Sequence, residues 1–302
     1  MKCAAFWKHT NIRKNTQVYP CCRFKRPIAS FDGNLDEVLH LDVYEQLRQK
    51  SLNNEPIPEC SKCYYEESLG KKSLRETFNE EYNTDEVKLK FVEIGFDNIC
   101  NLTCDACGPE FSHSWANKLG NLIPIQTIKD DFSPNQDLEK IVFLGGEPLM
   151  TNRHYTFLRK IEDPTNVSVT YVTNGTFLLK DTEIKLLKQF KKINFIVSID
   201  GYNTLNDKVR SGSKWADILK FLNQIEQLKF SVSINTTIHV NNWFGLDDLG
   251  KFIRSKNYDW TTNVVTYPAQ FDIANSSDKD SIRKYFKSIE FPNKEVTLEH
   301  LK

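Results

Sequence analysis

Three cysteines within eight residues are the part of this sequence best suited to chemistry. Cys100, Cys104 and Cys107 lie in the segment CNLTCDAC with the spacing Cys-x3-Cys-x2-Cys. Three thiolates can bind three irons of a cubane [4Fe-4S] cluster, and the fourth iron then stays open to a ligand from outside the protein. The spacing therefore predicts a catalytic iron-sulfur cluster. A zinc site with His113 as fourth ligand is the alternative, although zinc sites usually pair cysteines as Cys-x2-Cys.

Five more cysteines near the start of the chain predict a second metal site. They are Cys3, Cys21, Cys22, Cys60 and Cys63. The Cys-x2-Cys pair at 60 and 63 and two of the other thiols could supply four ligands, either to zinc or to an iron-sulfur cluster. All eight cysteines lie at or before residue 107, which indicates local metal sites rather than scattered thiols.

Charge and hydropathy narrow the classes of function open to the chain. Its 302 residues contain 40 lysines and arginines and 40 aspartates and glutamates, so no overall field attracts nucleic acid or anionic lipid. No stretch approaches the length of a bilayer span, and the opening MKCAAFWKHT lacks the apolar core and cleavage site of a signal peptide. We therefore expect a cytoplasmic protein without membrane or nucleic-acid partners, in a compartment that keeps thiols reduced.

Apolar runs that alternate with amphipathic stretches predict the elements that position these cysteines. Strands are expected at residues 90–96, 140–145, 167–174, 194–200, 231–240 and 261–267, and helices at 113–122, 154–161, 181–190, 214–228, 246–255 and 281–289. Six strand-helix units in a row predict an α/β fold with a parallel sheet, either a partial barrel or an open doubly wound sheet. The cysteine loop follows the first strand, at the edge where such folds build active sites.

Composition divides the chain into three parts. Residues 1–80 carry few strand signals and most of the cysteines, which predicts a small domain held by metal rather than by a large core. The charged stretch at 81–89 is the expected linker, and residues 90–302 form the sheet domain.

Further candidate site residues lie at or after the later strands. They are Gly145, Gly146, Glu147, Pro148, Asn174, Ser198, Asp200, Arg210 and Asn235. The glycines of GGEP let the backbone approach a ligand closely, and the carboxylate suits an ammonium group. Asn235 is polar within its strand and is expected to reach the ligand. Structural alternatives are a strand-to-helix turn for GGEP, a surface ion pair for Arg210 and an outward-facing position for Asn235.

CNLTCDAC, GGEP and VSIDG, in this order, resemble the radical S-adenosylmethionine (SAM) superfamily. The resemblance implies a partial (β/α)6 TIM-like barrel and a [4Fe-4S] cluster whose open iron is chelated by SAM. It implies reductive cleavage of SAM to methionine and a 5'-deoxyadenosyl radical, which abstracts hydrogen from a substrate. It also implies that Glu147 binds the methionine amino group and that Ser198 and Asp200 contact ribose and carboxylate. Arg210 would neutralise that carboxylate, and Ala106 replaces the family's usual aromatic residue beside adenine.

The N-terminal cysteines, with ECSKCYYEES at 59–68, resemble the twitch or SPASM auxiliary-cluster module. In better-known members this module follows the barrel, whereas here it precedes it. The resemblance implies a second [4Fe-4S] cluster on Cys3, Cys21, Cys60 and Cys63, with Cys21 chosen over Cys22 because it follows a proline. A cluster with four thiolates would carry electrons, whereas one with three would have a position for substrate.

The resemblance also suggests substrates and partners. Relatives with auxiliary clusters often modify peptides or oxidise small molecules, which implies a ribosomally synthesised peptide first and a sugar or nucleotide second. An external donor such as flavodoxin or ferredoxin would supply electrons, and the oligomeric state is left open. A zinc-stabilised binding module without catalysis is the alternative from another class. A third hypothesis is a relative that has lost catalysis and serves as a scaffold.

Overall fold

The alternating pattern of the predicted strands forms one nine-stranded sheet in the computed structural model, which describes residues 2–84, 86–120, 124–128 and 132–301. The strands are β1 His9–Arg13, β2 Gln17–Tyr19, β3 Ala29–Ser30, β4 Phe91–Gly95, β5 Thr103–Cys104, β6 Lys140–Leu144, β7 Ser168–Thr173, β8 Lys192–Ser198, β9 Arg210–Ser211, β10 Ser231–Ile238 and β11 Asp259–Val264. The order across the sheet is β11-β10-β8-β7-β6-β4-β1-β2-β3, and β5 pairs with β9 apart from it. β2 and β3 are antiparallel to their neighbours, and the other strands of the large sheet run parallel.

Helices connect the parallel strands, as the predicted strand-helix alternation requires. The α-helices are α1 Ala5–Lys8, α2 Asp42–Leu52, α3 Ser61–Ser68, α4 Leu74–Glu81, α5 His113–Lys118, α6 Arg153–Leu158, α7 Asp181–Leu187, α8 Thr204–Val209, α9 Trp215–Gln227, α10 Leu246–Ser255, α11 Lys279–Ser288 and α12 Lys294–His300. All six predicted strands and the α/β fold class are confirmed. The last two residues of the helix predicted at 113–122, and Asp85 of the predicted linker, lie outside the described residues. Within the described ranges, no helix is long and apolar enough to cross a bilayer.

Along each strand of the sheet, successive side chains point alternately to the face covered by helices and to the opposite, inner face. Phe195 and Val197 of β8 are buried on the face that packs against helices, where Phe195 meets Phe221 of α9 edge to face. Asn194 and Ser198 point to the opposite, inner face and are only partly buried. The main hydrophobic core therefore lies between the sheet and the helices, and the polar inner face remains for a site.

The N-terminal segment is built into the same sheet. β1 pairs in parallel with β4, from His9 opposite Phe91 to Ile12 opposite Ile94. Phe78 of α4 stacks on Phe91, so this segment also covers part of the inner face. β1 was not predicted because HTNIR contains a single aliphatic residue, and its polar side chains are buried only through the tertiary fold.

Candidate active site and metal centres

The three-cysteine loop follows β4 and is fixed by the start of the next helix. Cys100 and Cys104 are 8% and 9% exposed, and Cys107 is half-buried beside them. The Cys100 N–H donates to Nδ1 of His113 at 3.0 Å, and the Ser114 hydroxyl donates to the Cys100 carbonyl at 2.6 Å. The indole of Trp115 donates to the Cys104 carbonyl at 2.8 Å. These bonds hold the backbone of the loop and occupy the nitrogen of His113 that faces it.

The GGEP turn after β6 packs directly on the cysteine loop. The Gly146 N–H donates to the Asp97 carbonyl at 3.0 Å, and the Glu147 N–H donates to the Ile99 carbonyl at 2.7 Å. A Cβ on Gly145 would lie 2.6 Å from the Asp97 carbonyl oxygen, and one on Gly146 would lie 2.2 Å from that of Ile99. Only glycine permits this approach, so the motif sets the position of the cysteine loop.

The Glu147 carboxylate is buried at the junction of β6 and β7. It is 1% exposed and accepts three hydrogen bonds, from the Thr173 hydroxyl at 2.7 Å, the Leu149 N–H at 3.0 Å and the Asn174 N–H at 2.6 Å. Burial raises the pKa of Glu147 above its usual value, although these donors oppose the shift. Because a carboxylate can accept about four hydrogen bonds, one acceptor position is left for a ligand.

Asn174 ties the end of β7 to the cysteine loop. Its amide donates to Oδ1 of Asn101 at 2.9 Å, and the Asn101 amide donates to the Thr176 hydroxyl at 3.0 Å. The Thr176 hydroxyl and N–H in turn donate to Oδ1 of Asn174. Asn101 was not predicted, although its place between two cysteines was a signal. The network joins the cysteine loop to two strand ends.

Asp200 and Arg210 form an ion pair inside the site rather than on the surface. Nη1 of Arg210 lies 2.6 Å from Oδ2 of Asp200, and the two side chains are 13% and 4% exposed. The Thr237 N–H donates to the other Asp200 oxygen at 2.7 Å. Arg210 also pairs with Cys104 through the β5–β9 ladder, and its buried Nε has no hydrogen-bond partner among the described residues. A fixed cation with a free donor therefore stands beside the cysteine loop.

Burial disfavours the thiolate form of the cysteines in this loop. Burial raises the pKa of Cys104 to about 12 and that of Cys107 to about 11, whereas the guanidinium of Arg210 acts in the opposite direction. Buried thiolates need a positive partner, which a bound iron cluster provides. Across the parts of the chain that the structure describes, no three Cys, His, Asp or Glu side chains are close enough together to hold a single metal ion. A cubane has no such requirement, because each thiolate binds a different iron.

Ser198 and Asn235 are neighbours on the inner face. They lie opposite each other in the β8–β10 ladder, on the face away from buried Val197 and Ile234. Oδ1 of Asn235 accepts from the Asn263 amide at 2.9 Å. Asn235 therefore points to the inner face, and a polar row runs from the end of β8 to β11.

Four N-terminal cysteines surround a second, small cavity. The four are Cys3, Cys21, Cys60 and Cys63. Burial raises the pKa of Cys3 and that of Cys60 to about 12, so this set also needs a cation to become thiolate. Cys22 is exposed and does not line the cavity.

A larger cleft, which the sequence did not predict, adjoins this cavity. It has a volume of about 800 Å³ and lies between the N-terminal segment on one side and, on the other, the outer edge of β11 together with residues 290–300. Arg23 and Lys62 line both the cleft and the cysteine cavity. The Arg23 guanidinium is paired with Glu66 and hydrogen-bonds Cys63.

Comparisons with known proteins agree with this arrangement. The sequence model of the radical SAM superfamily matches residues 95–253, and that of an iron-sulfur cluster-binding SPASM domain matches residues 3–64. A GTP 3',8-cyclase of Sulfurimonas denitrificans is 29% identical over 154 residues, which are 50% of this chain and 46% of the cyclase. The putative peptide biosynthesis protein YydG of Bacillus subtilis is 22% identical over 165 residues, 54% of this chain and 51% of YydG. The chain thus spans about half the length of these curated relatives.

Two solved structures are similar over more of the chain. The alignment with native anSMEcpe with bound AdoMet covers 67% of this chain and 59% of the anSMEcpe chain, with a TM-score of 0.49 and 16% identity. The alignment with Streptococcus suis SuiB bound to S-adenosylmethionine covers 81% of this chain and 60% of the SuiB chain, with a TM-score of 0.44 and 15% identity.

Proposed function

The chain belongs to the radical SAM superfamily, and on this premise we propose that Cys100, Cys104 and Cys107 bind its catalytic [4Fe-4S] cluster. The reduced cluster, when bound, supplies the electron that splits SAM into methionine and a 5'-deoxyadenosyl radical, which abstracts hydrogen from a substrate. One observation carries the proposal: the cysteine loop, the Gly145–Glu147 turn and Asn174 form a single hydrogen-bonded unit at the carboxyl edge of the parallel strands. Such an edge is where parallel α/β folds hold their ligands.

The SAM-binding roles follow from groups that the fold leaves unsatisfied. Glu147 has one acceptor position left and would hold the ammonium group of SAM. Arg210 has a free buried Nε–H and would hold the carboxylate. Asp200 then acts by positioning Arg210. Ser198 and Asn235 are the inner-face residues proposed for the adenosyl end.

We assign the second metal site to an auxiliary [4Fe-4S] cluster on four N-terminal cysteines. Cys3, Cys21, Cys60 and Cys63 line one cavity, which supports Cys21 rather than Cys22 as the ligand. Four thiolates leave no open iron, so this cluster would carry electrons. The proposed division is residues 1–80 for the auxiliary domain, whose strands β1–β3 join the large sheet, 81–89 for the linker and 90–302 for the barrel. In the cytoplasm, flavodoxin or ferredoxin would be the external donor.

The substrate is proposed to be a ribosomally synthesised peptide. One curated relative carries a peptide-biosynthesis name, and the cleft beside the auxiliary cysteines is large enough for several residues. A nucleotide is the second candidate, because the curated relatives also include GTP 3',8-cyclases.

Anaerobic purification and product analysis test the radical SAM assignment. The protein should be brown and contain iron and sulfide, and with dithionite it should release 5'-deoxyadenosine from SAM. Substitution of any one of Cys100, Cys104 and Cys107 by serine should abolish that release. Cys22→Ser is the matched control and should leave the release unchanged. A colourless zinc protein would support the binding module, and a brown protein that releases no 5'-deoxyadenosine with several reductants would support the scaffold.

A further inference from the structure

The large cleft has a strand edge as one of its walls. We call it the edge cleft; Arg23, Lys62 and Lys71 line it on the N-terminal side, and Thr262, Val264 and Lys294 line it on the other. Among the residues that the structure describes, β11 is the last strand of the sheet and pairs only with β10. The edge cleft is therefore the gap between the segment that carries the auxiliary cysteines and the wall formed by the outer edge of β11 and residues 290–300.

The backbone of β11 offers unpaired hydrogen-bonding groups to this cleft. In a parallel ladder, alternate residues direct both backbone groups to the same side. The Val265 N–H donates to Ile238 of β10 at 3.0 Å, so Val264 faces the free edge. The Asn293 amide donates to the Thr262 carbonyl at 2.9 Å and covers the edge there. Beyond Thr262, the N–H and C=O of Val264 have no partner among the described residues, and they stand where a neighbouring strand would bind.

Charge on the opposite wall favours an acidic segment. Lys62 and Lys71 line the cleft without an ion-pair partner in the described chain, whereas Arg23 and Lys294 are neutralised by Glu66 and Glu290. Glu295, whose carboxylate has no ion-pair partner within the described ranges, also lines the cleft. The unpaired ammonium groups are separated along the cleft, which suits carboxylates spaced along a peptide.

The cleft is connected to the radical site by polar groups. Asn263 precedes Val264 and donates to Asn235, which lies opposite Ser198 in the β8–β10 ladder. A strand laid along β11 would thus have side chains directed toward the inner face where SAM is proposed to bind. The alternation of a strand determines which residues point there.

From these observations we propose that the substrate is an extended acidic peptide that adds to the free edge of β11 as a further parallel or antiparallel strand. Its backbone bonds Val264, and its carboxylates face Lys62 and Lys71. This inference rests on the proposed function and specifies the substrate class of the same site. Recognition through the backbone makes the binding tolerant of sequence and sensitive to the register of the peptide.

Binding of designed peptides to the whole, anaerobically purified protein tests the proposal. The probe is the fluorescein-labelled peptide VEVEVEVE, measured by fluorescence anisotropy, with VKVKVKVK as its charge-reversed control. Two further versions carry N-methyl groups on the valines or on the glutamates. The glutamate peptide should bind at least about tenfold more tightly than the lysine peptide. One methylated version should lose at least about tenfold in affinity and the other should not, because only alternate residues bond the edge.

Variants of the protein locate the site. Val264→Pro removes one N–H and should weaken binding about fivefold or more, whereas the matched Val264→Ala should bind as the wild type does. The double variant K62Q/K71Q should weaken binding about fivefold and flatten its salt dependence. Circular dichroism reports whether the proline variant folds. If it does not fold, binding of the two methylated peptides to the wild-type protein tests strand addition instead.

The results that overturn the inference are separate from those that overturn the radical function. No binding of the glutamate peptide, equal binding of the two methylated peptides, or displacement of the probe by GTP with V264P unchanged would reject strand addition. Release of 5'-deoxyadenosine by the same preparation reports on the radical site independently.

Discussion

The substitution Gly146→Ala tests the claim that the GGEP turn positions the catalytic cysteine loop. The new methyl group would lie 2.2 Å from the Ile99 carbonyl oxygen and 2.6 Å from the Asn98 carbonyl carbon, both of them backbone atoms that no side-chain rotation can move. Reaching a contact of 3.0 Å requires a displacement of 0.8 Å. The adjacent bond from the Glu147 N–H to Ile99, now 2.7 Å, would lengthen to about 3.5 Å and be lost.

The displaced loop should bind its cluster poorly while the N-terminal cysteines are unaffected. We expect G146A to retain about half of the wild-type iron, about four of eight atoms per chain, and to release no 5'-deoxyadenosine above background. Overpacking should also lower the free energy of unfolding by about 1–3 kcal/mol. Iron and sulfide analysis after anaerobic reconstitution, together with urea unfolding, measures these effects.

Gly95→Ala is the matched control, because Gly95 precedes the same loop. A Cβ there would meet its nearest atom, in the Leu144 side chain, at 3.4 Å, an ordinary contact. G95A should therefore keep the iron content and the product of the wild type. A G146A protein with full iron content and wild-type release of 5'-deoxyadenosine would refute the positioning role of the turn.

Three further predictions concern other parts of the molecule. Arg210→Gln leaves the Asp200 carboxylate buried without its cation and should lower the free energy of unfolding in urea by about 3 kcal/mol. The double variant D200N/R210Q should recover most of that loss, and no recovery would argue against the pairing. Burial lowers the pKa of His154 from 6.5 to about 3, so its unfolded form binds the proton first and stability falls as pH drops below 6.5. Between pH 7 and pH 5 the free energy of unfolding should fall by about 2 kcal/mol through this group. His154 packs among Phe143, Tyr155 and Tyr171, so the substitution His154→Phe should keep the packing and remove this pH dependence. An unchanged pH dependence in urea unfolding would exclude His154 as its source. Cys21→Ser should lose the auxiliary iron and Cys22→Ser should keep it, and the reverse result in iron analysis would exchange their roles.

The six barrel strands were predictable because their alternation is a local property of the sequence. In β8, apolar Phe195 and Val197 alternate with polar Asn194 and Ser198, and burial follows the same alternation. β1 lacks this signal, because its residues His9, Thr10 and Asn11 are polar. They are buried because other elements pack over them, which their sequence does not indicate. A strand of this kind is specified by the sheet that receives it.

The candidate site was predictable in its residue types but not in its bonding. The motif order placed Glu147 and Asn174 at neighbouring strand ends, yet the partner of the Asn174 amide is Asn101, which is distant in sequence. The same holds for Arg210, which was open to interpretation as a surface ion pair. The fold instead places Arg210 opposite Cys104 in the β5–β9 ladder, where it pairs with buried Asp200. Hydrogen bonds between loops depend on the three-dimensional fold, so spacing along the chain cannot reveal them.

The position of β1 explains how a metal module that precedes the barrel can reach the same cleft as the barrel's last strand. Because β1 pairs with β4, Phe24, Ile57 and Phe78 of the N-terminal segment cluster with Phe91 on the inner face. Arg23 and Lys62 of this segment line the edge cleft, whose other wall is β11 and residues 290–300. Sequence order is thus less important than which sheet edge the module joins. Because the module joins the sheet through β1, the edge of β11 pairs with no further strand in the described part of the chain.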